Sequence, residues 1–135
     1  MVSGLVFVDS ADEEQVWRFE RITPVLMFEY PGWPNVNKLA QAGWLRQGGL
    51  LAWHHDVPLV VLERGITWPR TAFRGMTESQ YQDLKTTWHL MQVDLSTRSK
   101  YGELRIAEKS GHYIQTQQPE LVVKAIHDAL GQSPR

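Results

Sequence analysis

Cysteine is absent from the 135 residues, which excludes disulfides and every zinc site built on thiolate ligands. An excess of charge of either sign is absent too. The 14 Lys and Arg stand against 15 Asp and Glu, a formal net charge of -1. With no basic surplus and no run of like charge, the chain has no electrostatic footprint for nucleic acid. No apolar stretch approaches the ~20 residues that a membrane helix needs. The opening Met1-Val2-Ser3-Gly4-Leu5-Val6-Phe7-Val8 lacks the basic start and the apolar length of a secretory signal, and it reads as a strand. A soluble, cytoplasmic protein is the resulting expectation. The length suits a single domain, 1–135, with a core of its own.

Tryptophan, by contrast, is plentiful. Six occur, Trp17, Trp33, Trp44, Trp53, Trp68 and Trp88, and four of them precede residue 57. Large aromatics either fill core or let a cover segment present apolar surface to a ligand. The sequence leaves both readings open.

Three apolar runs carry the signature of strands buried on both faces, as in parallel sheets. Leu5-Val6-Phe7-Val8 follows Gly4 and stops at Asp9-Ser10. Pro58-Leu59-Val60-Val61-Leu62 stops at Glu63-Arg64-Gly65, and Leu104-Arg105-Ile106-Ala107 leads to Lys109-Ser110-Gly111-His112. Helical sequence separates them, which implies βαβ crossovers. Thr77 with Gln80 forms a capping box before Tyr81, Leu84, Trp88, Met91 and Leu95, an apolar face at helical spacing. Pro119 suits a first helical position ahead of Leu121, Val122, Ala125, Ile126 and Ala129, with Gly131 as the stop. Residues 11–56 read as a helical, Trp-rich cover. It would hold one helix over 13–21, a break at Tyr30-Pro31-Gly32-Trp33-Pro34 and a second helix over 35–47. The fold class expected is α/β, a three-stranded parallel sheet flanked by helices.

The phrases and their order resemble the C-terminal part of an α/β-hydrolase, esterase-like and lacking the half with the nucleophile elbow. Gly4-Leu5-Val6-Phe7-Val8-Asp9-Ser10-Ala11 looks like the strand after the nucleophile helix. Pro58 to Gly65 looks like the next strand, and Ile106-Ala107-Glu108-Lys109-Ser110-Gly111-His112-Tyr113-Ile114 like the last strand with its histidine loop. Pro119-Glu120-Leu121-Val122-Val123 matches the start of the final helix. In that family the histidine is the general base for a serine, and a carboxylate holds its other ring nitrogen. The resemblance therefore implies His112 as base. Most members place the acid after the second of these strands, where this chain has Glu63 and no Asp; some place it one strand earlier, where Asp9 stands. Asp9 is the first choice and Glu63 the alternative.

The chain departs from the family at the nucleophile, since no Gly-x-Ser-x-Gly occurs. Ser110 is the nearest serine to His112 in sequence, with Ser10, Ser99 and Ser96 as further candidates; each also reads as a turn or cap serine. His54-His55-Asp56 is not a metal site on this reading, because adjacent residues of an extended segment point apart. His89 and His127 lack partners at ligand spacing, and Arg18, Arg21 and Arg46 read as solvated or snorkelling groups.

The function expected is hydrolysis of a small acyl ester, by a serine hydrolase that needs neither cofactor nor metal. The alternative is a non-catalytic module that folds and acts only with a partner chain. The family strand missing beside Leu5-Val6-Phe7-Val8 implies an open sheet edge, and with it a homodimer or a larger homo-oligomer.

Overall fold

The three apolar runs become three strands, and all point the same way. In the computed structural model, which describes residues 2–10, 15–23 and 56–131, β1 (Leu5–Val8), β2 (Leu59–Arg64) and β3 (Gly102–Ala107) form a parallel sheet in the order β1-β2-β3. The helices are α1 (Gln15–Glu20), α2 (Glu78–Ser96), α3 (Ile114–Gln117) and α4 (Pro119–Gly131), with a 3-10 turn at Arg70–Ala72. The expected cover is described only at residues 15–23 and Asp56. Its second helix over 35–47, the break at 30–34, Trp33, Trp44, Trp53, His54 and His55 lie outside the described residues. No described helix is long and apolar enough to cross a membrane.

The chain divides into two compact units. The first comprises residues 1–10, 54–68 and 89–135, and holds the sheet, α3, α4 and the second half of α2. Its core follows from the two-residue period of a strand, which sends successive side chains to opposite faces. Val60 and Leu62 of β2 pack with Ala107, Ile114, Ala125 and Ala129, under α4. Leu59 and Val61 pack on the other face with Leu95 of α2, against Leu5, Phe7 and Leu104. Each face is thus covered by a helix, as parallel sheets require. Small Ala125 and Ala129 let α4 lie close to the strands, while Val123, Ile126 and Leu130 of the same helix are exposed.

β2 runs two residues further than its apolar stretch, through Glu63 and Arg64, and all six of its residues are buried. By the same alternation Glu63 belongs to the Leu59 and Val61 face and Arg64 to the Val60 and Leu62 face. Before β3 the chain turns tightly. A Cβ built on Gly102 would lie 1.8 Å from the carbonyl oxygen of Ser96. Gly102→Ala should therefore destabilise by about 3 kcal/mol, the upper part of the range for overpacking, because backbone rather than a side-chain tip must give way. Urea unfolding followed by circular dichroism measures this, and a loss below about 0.5 kcal/mol would show that the turn yields freely.

The second unit comprises residues 11–53 and 69–88. The capping box forms as expected: Thr77 N–H donates to Gln80 Oε1 at 2.8 Å, and Gln80 N–H donates to Thr77 Oγ1 at 3.2 Å. Gln80 also donates to the Ile22 carbonyl after α1, at 3.1 Å, and Phe19 meets Trp88 with ring centroids 6.4 Å apart. The Trp88 ring is core here, not ligand surface.

Candidate active site

The ends of parallel strands place three polar residues together on the first unit. Asp9 follows β1, Arg64 ends β2, and His112 lies in the turn between β3 and α3. The C-terminal edge of a parallel sheet is where such folds build sites, because successive turns converge there.

Asp9 is the buried anchor. Its N–H closes the β1–β2 ladder on the Leu62 carbonyl at 2.7 Å, after which the backbone swings to φ +47°. That left-handed conformation is uncommon for any residue but glycine; Asp and Asn tolerate it best. Backbone strain of this kind collects at functional sites. It turns the carboxylate into the sheet edge, where Oδ1 accepts the Arg64 N–H at 3.2 Å and Oδ2 lies 2.6 Å from Arg64 Nη2. The Arg64 guanidinium also sits 3.9 Å from the centroid of the Trp68 ring. A planar cation between a carboxylate and an aromatic face gains from both partners.

His112 Nδ1 lies 2.8 Å from Asp9 Oδ2. A carboxylate accepts and cannot donate, so a contact this short places the proton on Nδ1. Arg64 Nη2 is 3.3 Å from the same nitrogen; both being donors in this tautomer, that approach is a close contact and not a hydrogen bond. The lone pair is left on Nε2. Asp9 is fully buried, whereas the His112 side chain is 55% exposed, so the ring spans from the sheet edge to solvent. Tyr113 flanks it with centroids 5.2 Å apart.

Two glutamines hold the histidine turn in shape. Gln118 Oε1 accepts from the Lys109 N–H at 2.9 Å and from the Ser110 hydroxyl at 2.8 Å, and Gln117 Oε1 accepts the Gly111 N–H at 2.7 Å. Ile66 N–H donates to the Ser110 carbonyl at 2.9 Å, tying the turn after β2 to the turn after β3.

The structure brings Asp9 and His112 together and leaves Glu63, Ser96, Ser99 and the Ser110 hydroxyl turned away from them. Glu63 is on the opposite face of β2, where its Oε2 lies 2.8 Å from His89 Nδ1 of α2. Ser110 is fully buried with its hydroxyl given to Gln118. Ser110→Ala should therefore cost about 1 kcal/mol of stability, the value of one such hydrogen bond, read by urea unfolding; a loss below about 0.3 kcal/mol would show that the bond contributes little. Ser96 donates to the Val93 carbonyl at 2.7 Å, and Ser99 to the Val57 carbonyl. Both precede β3, at the edge where the strands begin. Ser10 stays at the site's edge beside Asp9, its carbonyl accepting from Gln92 at 2.8 Å.

Arg64, Trp68, Gln117 and Gln118 were not legible as site residues, nor was the Glu63–His89 pair. The available signal for Arg64 was its place as the last residue of a parallel strand, next to a predicted strand-end acid. Among the described residues no group of three or more His, Asp or Glu could hold a metal ion. A scan against protein-family models finds no match. Neither the search of curated proteins nor that of solved structures finds one.

Proposed function

We propose that the protein hydrolyses small carboxylic esters, with His112 as the general base and Asp9 as the acid that orients it. The observation that carries this reading is the 2.8 Å contact between Asp9 and His112, residues 103 positions apart in sequence. One partner is buried and charged, the other half in solvent, and the pair sits on the edge of the sheet where parallel folds place chemistry. The Nδ1–H donated to Asp9 leaves Nε2 with the lone pair that a base needs, and the hydrogen bond holds the ring in one orientation. The resemblance of the strand and histidine-turn phrases to α/β-hydrolases supports the same chemistry. Turnover of p-nitrophenyl acetate by the wild type and by His112→Ala tests it. A rate that falls to background in the variant supports the reading, and equal rates would remove it.

A second reading is a module that acts with a partner chain. It is favoured by the outer edge of β1, which no described strand covers, and by the exposed stripe Val123, Ile126 and Leu130 on α4. Those three are spaced three and four residues apart, on one helical face. Open edges and apolar stripes mark interfaces. A homo-oligomer is the corresponding expectation: light scattering after size exclusion should give a mass of at least about twice the 15.6 kDa of the chain. A mass near that of one chain at micromolar concentration would refute association.

A further inference from the structure

The Asp9–His112 pair presents a base, and the chain's composition narrows what it can deprotonate. There is no cysteine, and the serines are Ser3, Ser10, Ser79, Ser96, Ser99, Ser110 and Ser133. Ser3 precedes β1, and Ser96 and Ser99 precede β3, whereas His112 follows the opposite edge. A six-residue strand at ~3.3 Å per residue puts roughly 17 Å between those edges. Ser110 is at the correct edge but buried, its hydroxyl committed to Gln118. No described hydroxyl bonds to His112, which donates to Asp9 and has Arg64 and the ring of Tyr113 beside it. Residues 11–14, 24–55 and 132–135 contain Tyr30 and Ser133 as their hydroxyl side chains, and no threonine.

The geometry points to water as the nucleophile, activated directly by Nε2 of His112. This inference rests on the ester-hydrolase reading and names how that site would work. A serine outperforms water when a sharp turn presents it to the base, and no described serine hydroxyl is bonded to the imidazole. Water needs no such turn. It reaches Nε2 because the ring is half exposed with Nδ1 already engaged by Asp9. As the water oxygen attacks the ester carbonyl carbon, one of its protons passes to Nε2, and the carbonyl π pair moves to oxygen. The resulting tetrahedral species collapses, the bond to the alcohol oxygen breaks, and the imidazolium returns the proton to that oxygen. Acid and alcohol leave, and neither carries a bond to the protein at any stage. His112 keeps its Nδ1 proton throughout, donated to Asp9, whose charge faces the transient imidazolium.

The full chain is assayed with p-nitrophenyl acetate as wild type, His112→Gln, Ser10→Ala and Ser133→Ala, with intact mass spectrometry of samples quenched during turnover. His112→Gln is expected to lose about 100-fold or more of the protein-dependent rate. The two serine variants should stay within about twofold of wild type, and no acetylated protein should accumulate above the level seen with His112→Gln. An acetyl group on a serine or on His112, or a loss in Ser10→Ala or Ser133→Ala as large as that in His112→Gln, would overturn water attack while leaving ester hydrolysis in place. Equal rates for wild type and His112→Gln would overturn the ester-hydrolase reading, and water attack with it.

Discussion

Arg64→Met should lower the free energy of unfolding by about 3–5 kcal/mol, the cost of leaving one charge of a buried pair uncompensated. The side chains of Arg64 and Asp9 are 5% and 0% exposed, and Nη2 lies 2.6 Å from Oδ2. Methionine fills much of the arginine volume and can still lie against Trp68, so the packing loss is small. What remains is the Asp9 carboxylate at a sheet edge with its counter-charge gone. A domain of this size is typically stable by about 5–15 kcal/mol, so the variant should unfold at markedly lower urea concentration. The double variant Asp9→Asn with Arg64→Met should be much less unstable than the sum of the two single changes, because neither charge is then stranded. Asn suits position 9, where φ is +47°. A loss below about 1 kcal/mol in Arg64→Met would show that water solvates the pair.

Asp9→Asn, destabilised because Arg64 loses its counter-charge, should in its folded fraction lower kcat by about 10²–10⁴-fold. The asparagine amide can donate to Nδ1, which a carboxylate cannot, and a donor there moves the imidazole proton to Nε2. The base would then hold a proton where it should have a lone pair. Glu63→Gln should change turnover by less than about twofold, because Glu63 faces the other side of the sheet and pairs with His89. Here it is the direction of the side chain on β2, and not its distance along the chain, that decides. The opposite ranking in the two purified variants would place the acid on β2.

Signals confined to a few neighbouring residues could be read from the sequence. Thr77 and Gln80 announced the start of α2, Pro119 and Gly131 framed α4, and the apolar runs located β1 and β2. The apolar run stops short of the end of β2 because Glu63 and Arg64 are charged and buried, a combination that hydrophobicity argues against until the partners are known. Arg64 finds its partners 55 and 48 positions away, at Asp9 and His112. No local pattern encodes such a meeting. His112 and Asp9 stand in the phrases that resemble a known family, and they meet at 2.8 Å, whereas Glu63 meets His89 instead. Closeness in a tight turn does not set direction: Ser110 stands two residues from His112, and its hydroxyl turns inward to Gln118. The four-residue α3 is too short to leave a periodic signal.

The parallel ladder also sets the order in which the molecule comes apart. β2 is bonded on both sides and every residue of it is buried, and its ladder with β3 runs over six paired positions. β1 shares four paired positions with β2, and its side chains are half-buried. Releasing β1 therefore breaks fewer ladder pairings than releasing either other described strand, so it belongs to the cheaper of the molecule's cooperative openings. Asp9 is carried on the end of that strand. Each time β1 peels away, the carboxylate leaves the imidazole, while β2, β3 and α4 stay packed. Amide hydrogens of Val6 and Val8 should exchange with solvent faster than those of Val60 and Leu62. In a urea titration, hydrolysis should fade before the circular dichroism of the helices does.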